Sequence, residues 1–112
     1  MDKLLLMFKA LSDRNRLRVV AALSVYDELC ACHIVELLQV SGATVSTHMS
    51  LLIQAGIVKS RKEGRWTHYK LADPEGDIGA ILNAVTVQLN MSDSVKADQL
   101  RLESIVCCTE SV

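Results

Sequence analysis

The sequence predicts a mainly α-helical domain with the element order α-α-α-α-β-β-α and a further helix near the C-terminus. Three observations carry this. Apolar residues make up half of the 112-residue chain, with few aromatics, and recur at helical spacing along most of it. The run Ile57–Leu71 alternates instead and turns at Glu63-Gly64, as a β-hairpin does. Two short periodic stretches, residues 30–38 and 41–55, are separated only by Gln39-Val40, which leaves room for a tight turn and nothing more.

In chain order, Lys3–Leu11 reads as a short, strongly apolar helix. Ser12 or Asp13 caps a second helix, Arg14–Ser24, with Leu17, Val20, Ala21 and Leu23 inward. Val25–Leu29 is a connection. A third helix starts at Cys30 or Ala31 and ends at Leu38, with Ile34, Leu37 and Leu38 inward. Ser41 caps a fourth helix that runs to Ala55, and Gly56 stops it. Pro74 suits the first turn of a fifth helix, Glu75–Asn90, striped by Ile78, Ile81, Leu82, Val85 and Leu89. A helix from Ser94 to Glu103 then gives way to a frayed tail. Residues 1–91 are expected to form one domain and residues 92–112 a C-terminal extension. A core this small leaves the first and fifth helices with apolar surface to spare, so a homodimer is expected.

No apolar run approaches the roughly 18 residues of a membrane span. MDKLLLMFKA has five apolar residues in a row between Lys3 and Lys9, too few for a secretory signal. The expectation is a cytoplasmic protein with no membrane contact, whose four cysteines are reduced.

Net charge is only −1, but its distribution is uneven. Residues 57–72 hold five bases and one acid, whereas residues 73–112 hold two bases and seven acids. A basic segment inside a neutral protein is a footprint for phosphate. The fourth helix points the same way. Val45, Met49, Leu52 and Ile53 fall on one side and Ala43, Ser46, Thr47, Ser50 and Gln54 on the other, with no acid from Gln39 to Gly56. A small, polar, acid-free helix face lies close to something. Two short helices around a tight turn followed by a basic hairpin make a winged helix-turn-helix, and double-stranded DNA is the expected partner. Ala43, Thr44, Ser46, Thr47 and Ser50 are placed near base edges. His48, Lys59, Arg61, Lys62 and Arg65 are placed at phosphates or the minor groove. No Ser/His/Asp constellation, phosphate loop or Cys-x-x-Cys in a βαβ context is present, so neither an enzyme nor an organic cofactor is expected.

The cysteines come as two pairs, Cys30/Cys32 and Cys107/Cys108. On a regular helix, residues i and i+2 point about 200° apart, so Cys30 and Cys32 face one target only where the helix start is extended or pulled open.

These motifs, in this order, resemble the arsenic-repressor (ArsR/SmtB) family of winged-helix metal-sensing repressors. The resemblance rests on FKALSDRNRLRVVAAL (8–23), ELCACHIVELL (28–38), VSGATVSTHMSLLIQAGIV (40–58) and RKEGRWTHYKL (61–71). The ELCxC element looks like the thiolate site of the arsenite and cadmium/lead branches. Three departures stand out. Val35 occupies the place of a third cysteine often found in the arsenite branch. The cysteine-bearing N-terminal arm of the cadmium/lead branch is not seen before Met1. The helix 75–90 has Asp77 but no His, so the family's zinc site is expected to be absent.

The resemblance implies an operator-binding repressor released by a thiophilic inducer, most simply trivalent arsenic or antimony, with cadmium or lead as the alternative. Two thiolates under-coordinate such a centre, so Cys30 and Cys32 are expected to be joined by Cys107, Cys108 or both. Two separate two-thiol sites also satisfy a monosubstituted arsenical. His33 is read as solvent-facing. Closing both thiolates on one ion is expected to unwind or tilt the first turn of the third helix and so move the fourth. A sensor of oxidants or persulfides by disulfide formation is the other reading of the same fold.

Overall fold

The computed structural model describes residues 1–72 and 76–110, without the side chains of residues 77, 78 and 107–110. The elements are α1 (Asp2–Leu11), α2 (Arg14–Val25), β1 (Leu29–Cys30), α3 (Ala31–Leu38), α4 (Gly42–Gln54), β2 (Val58–Glu63), β3 (Trp66–Leu71), α5 (Gly76–Asn90) and α6 (Asp93–Glu110). The winged helix-turn-helix order expected from the sequence is present. Pro74 and Glu75, expected at the start of α5, lie outside the described residues.

Local signals set most boundaries. Of the two candidate caps for α2, Asp13 takes the role, accepting from the N–H groups of Asn15 (2.8 Å) and Arg16 (3.1 Å). Ser12 instead closes α1, its hydroxyl donating to Lys9 O at 2.8 Å. Ser41 caps α4 by accepting from Thr44 N–H at 3.1 Å. At the other end of α4, Gly56 N–H reaches Ile53 O and Ile57 N–H reaches Leu52 O, both at 3.0 Å. This closure needs a left-handed residue, supplied by Gly56 at φ 76°. Between α3 and α4, Gln39 itself adopts φ 57°, and its side chain donates to Glu36 O at 2.7 Å.

The sheet has the order β1-β3-β2, antiparallel throughout. Glu63 pairs with Trp66, so the hairpin loop is Gly64-Arg65, one residue later than expected, with Gly64 at φ 63°. The two-residue β1 was not expected. It pairs Leu29 with Tyr69 and Cys30 with His68.

The core gathers Met7, Val19, Val20, Leu29, Ile34, Leu37, Val45, Met49, Leu52, Ile57 and Leu102, among others. Leu17, expected inward, is only partly buried. Ile53 is 38% exposed rather than buried. Val45, Met49 and Leu52 span about 60° of the helix circumference, and Ile53 lies beyond that arc, about 80° from Val45.

Helix α6 continues to Glu110 where a frayed tail was expected after Glu103. Leu102, Ile105 and Val106, at i, i+3 and i+4, carry the apolar stripe past that point and pack on the core. Two arginines lock the helix down. Arg18 on α2 holds Asp98 through Nε–Oδ2 (2.8 Å) and Nη2–Oδ1 (3.0 Å). Arg18 and Arg101 both donate to Leu37 O at 3.1 Å, and Arg101 also to Glu36 O at 3.1 Å. These carbonyls end α3 without helical partners, and cations there also complement the negative end of the helix dipole.

Candidate nucleic-acid interface and thiol site

Helix α4 buries Val45, Met49 and Leu52 and exposes Ala43, Thr44, Ser46, Thr47, Ser50 and Gln54. The five residues placed near base edges therefore share one open face. Thr47 Oγ1 donates back to Ala43 O at 3.1 Å, and Ser41 Oγ donates to Thr44 Oγ1 at 3.0 Å, so both threonine hydroxyls are held in defined orientations. His48 differs from its neighbours. It is half-buried, and Arg16 Nη1 lies 3.0 Å from its Nδ1.

On the wing, Lys59, Lys62 and Arg65 are exposed, Arg65 at the tip of the hairpin. Arg61 is exposed too, but its charge is already engaged. It makes two hydrogen bonds to Glu28 (Nη2–Oε1 2.6 Å, Nε–Oε2 2.9 Å) and one to Glu63 (2.9 Å). The Arg61 hydrogen bond holds the Glu28 carboxyl below its ordinary range, against a smaller opposing effect of burial. His68 Nδ1 lies 3.6 Å from the same Glu28 carboxylate. Nothing in sequence spacing marked Glu28, which is 33 residues from Arg61.

The thiol site sits at the junction of β1 and α3. Cys30 is extended (φ −73°, ψ 152°) and is the N-cap of α3 rather than its first residue. Its Sγ accepts from Cys32 N–H at 3.4 Å, and its own N–H donates to His33 Nδ1 at 3.0 Å. His33 is thus half-buried and part of the cap, not solvent-facing as expected. Because Cys30 lies outside the helix, the 200° divergence does not apply, and Cys30 Sγ already bonds the Cys32 backbone N–H. Burial first, and then the nearness of the Cys30 thiol, push the Cys32 thiol up to about 11. Cys30 is 5% exposed and Cys32 half-buried.

Two soft sulfurs at one helix start suit a thiophilic centre better than a hard cation. Among the described residues, no three His, Cys, Asp or Glu side chains are arranged to hold a metal ion. Cys107 and Cys108 fall within the bounds of α6, but their side chains, like that of Asp77, lie outside the described residues. No helix among the described residues is long and apolar enough to cross a membrane.

Residues 13–60 match the family model described as bacterial regulatory protein, arsR family. The chain is 39% identical over 90 residues to the cadmium resistance transcriptional regulatory protein CadC of Listeria innocua, covering 80% of this chain and 71% of that one. It is 41% identical over 66 residues to the arsenical resistance operon repressor of Escherichia coli K12, covering 59% of this chain and 56% of that one. Among solved structures, it is similar to the homodimeric winged helix-turn-helix DNA-binding domain Mb0332 of Mycobacterium bovis, with a TM-score of 0.66 and 25% identity, covering 80% of each chain.

Proposed function

The chain belongs to the arsR family of bacterial regulatory proteins, DNA-binding transcriptional repressors rather than enzymes, and from that premise we propose a repressor released by a thiophilic metalloid. The inducer is trivalent arsenic or antimony, taken by Cys30 and Cys32 together with Cys107, Cys108 or both. The protein acts in the cytoplasm as a homodimer on double-stranded operator DNA. The exposed Leu4, Leu5, Leu6 and Phe8 of α1 and Val87 of α5 support a second copy covering them. Residues 1–91 read DNA and dimerise, and residues 92–112 bring the second cysteine pair.

One observation carries the inducer reading: Cys30 Sγ is the N-cap of α3. An ion bridging both sulfurs draws Cys30 Sγ toward Cys32 Sγ, in competition with its 3.4 Å bond to the Cys32 N–H. Ligation therefore costs α3 its cap, worth about 0.5–2 kcal/mol for an ordinary cap. It also strains β1, which is paired to wing strand β3. The helix-turn-helix and the wing are disturbed together. The inducer works only as far as it binds the DNA-incompetent shape more tightly, and a few kcal/mol of such coupling lowers operator affinity about a hundredfold.

Ala43, Thr44, Ser46, Thr47 and Ser50 serve base edges, and His48, Lys59, Lys62 and Arg65 serve phosphates or the minor groove. Arg61 joins them only by leaving Glu28. Cadmium or lead is the alternative inducer, and the similarity to a cadmium resistance regulator of Listeria innocua supports cadmium. Oxidants or persulfides acting on the same thiols are the third.

The test is anisotropy of a labelled operator duplex bound by the full chain. The complex is titrated with arsenite, antimonite, cadmium and lead in a reductant that does not chelate them, and with peroxide in a separate titration without reductant. Release by arsenite or antimonite at the lowest concentration is expected. Release by cadmium or peroxide alone replaces the metalloid reading.

A further inference from the structure

We propose that Arg16 is a positioning residue for DNA binding: it fixes the tautomer and orientation of His48, so that the ring presents an Nε2–H donor to a backbone phosphate beside the reading face of α4. Arg16 Nη1 lies 3.0 Å from His48 Nδ1. A guanidinium carries donors only, so Nδ1 must accept and bear no proton. The single ring proton is then on Nε2, at the other edge of the imidazole. The arginine is itself immobilised. Its Nε donates to Ala10 O at 2.6 Å, its backbone N–H donates to the Asp13 carboxylate at 3.1 Å, and Ala10 is 4% exposed. The end of α1 and the start of α2 thus form a rigid base from which one side chain aims another on α4.

His48 stands where such a donor is useful. Thr44 lies one turn before it and Thr47 beside it, both exposed on the reading face, while His48 is half-buried at the edge of that face. An imidazole free to rotate would present either nitrogen and lose that freedom on binding. Holding it beforehand removes that cost. The guanidinium behind the ring also adds positive potential toward a phosphate.

Arg16→Ala, His48→Ala and the double variant form a cycle. The readout is the Kd of the full chain for a fluorescein-labelled duplex recovered by in vitro selection with the wild type. Each single variant is expected to bind about tenfold more weakly, the scale of one lost hydrogen bond, and Arg16→Ala to add less than about twofold once His48 is gone. Equal losses from Arg16→Ala in both backgrounds would mean that Arg16 merely holds the fold. Wild-type affinity in His48→Ala would remove the histidine from the interface. Either result overturns the proposal. Because Arg16→Ala also breaks the bond to Ala10, a variant-free measurement accompanies it: long-range 1H–15N correlation of wild-type His48. The expected pattern is a bare Nδ1 and a protonated Nε2. A proton on Nδ1 at neutral pH is incompatible with the geometry and sinks the proposal by itself.

Discussion

Glu28 grips Arg61 with both carboxylate oxygens, at 2.6 and 2.9 Å, and so ties the strand that leads into Cys30 to the wing. The wing's most central base is thereby withheld by an acid two residues before the thiol that caps α3. Thiol strand, cap and wing charge form one connected unit.

Glu28→Gln tests whether Arg61 is held in reserve. With the carboxylate gone, Arg61 is expected to turn to phosphate. Affinity for a duplex should rise at low salt, and the slope of log K against log salt should steepen by about one contact's worth, roughly 0.9. An unchanged slope would show that Arg61 never reaches DNA and that its role is to hold β1 to the sheet.

Cys30 caps α3, and its proposed role as a ligand can be separated from that one. Cys30→Ser keeps a good cap, so urea midpoints should stay near wild type. Cys30→Ala should lose about 1 kcal/mol. Cys30→Ser/Cys32→Ser should bind DNA as the wild type does and ignore arsenite in the anisotropy titration. Release of that double variant by arsenite would locate the sensor elsewhere.

The raised Cys32 thiol keeps its proton at neutral pH; if Cys32 takes the proposed inducer, arsenous acid exchanges hydroxide for thiol and releases water, whereas divalent cadmium displaces the thiol proton. Alkylation of Cys32, followed by mass spectrometry, should be slow at neutral pH and quicken with pH up to about 11. Arsenite affinity should not strengthen over the same range, whereas cadmium affinity should. For stability the sign runs the other way. The fold favours the protonated thiol, so this contribution is intact below the ordinary thiol range near 8.5 and is lost as pH climbs toward about 11. Rapid alkylation at neutral pH would contradict the half-buried thiol beside Cys30.

Asp98 is 8% exposed and fully committed to Arg18. Asp98→Ala leaves the half-buried Arg18 guanidinium without its carboxylate, though still bonded to Asn15 Oδ1 and Leu37 O, and should cost about 1–3 kcal/mol in urea denaturation. Arg18→Met with Asp98→Leu should recover much of that loss, since a buried pair replaced by apolar groups is often close to neutral. A loss under about 0.5 kcal/mol for Asp98→Ala would show that α6 is not anchored through this pair.

The readable parts of the fold were those whose cause is local. Caps at Asp13 and Ser41, the Gly56 stop, the inward Ile34, Leu37 and Leu38, and the alternation of the wing each depend on residues within a turn or two. Errors arose where a neighbouring surface was needed to decide. Ile53 has helical periodicity but lies beyond the arc the core covers. The tail after Glu103 looked too polar to stay helical until the core received Ile105 and Val106. A two-residue strand such as β1 has no period to detect and exists only because β3 lies beside it.

By itself, the sequence determined a winged helix-turn-helix with an acid-free α4 face, a basic hairpin and two thiols at the start of α3. Periodicity, capping and turn chemistry act over a few residues, and the chain carries them wherever it goes. Only the tertiary structure decided which charges are spent and which remain available. Arg61 meets Glu28 33 residues away, Arg16 meets His48 32 residues away, and Arg18 meets Asp98 80 residues away. Such pairs form because packing brings their helices and strands together, and no local spacing encodes that encounter.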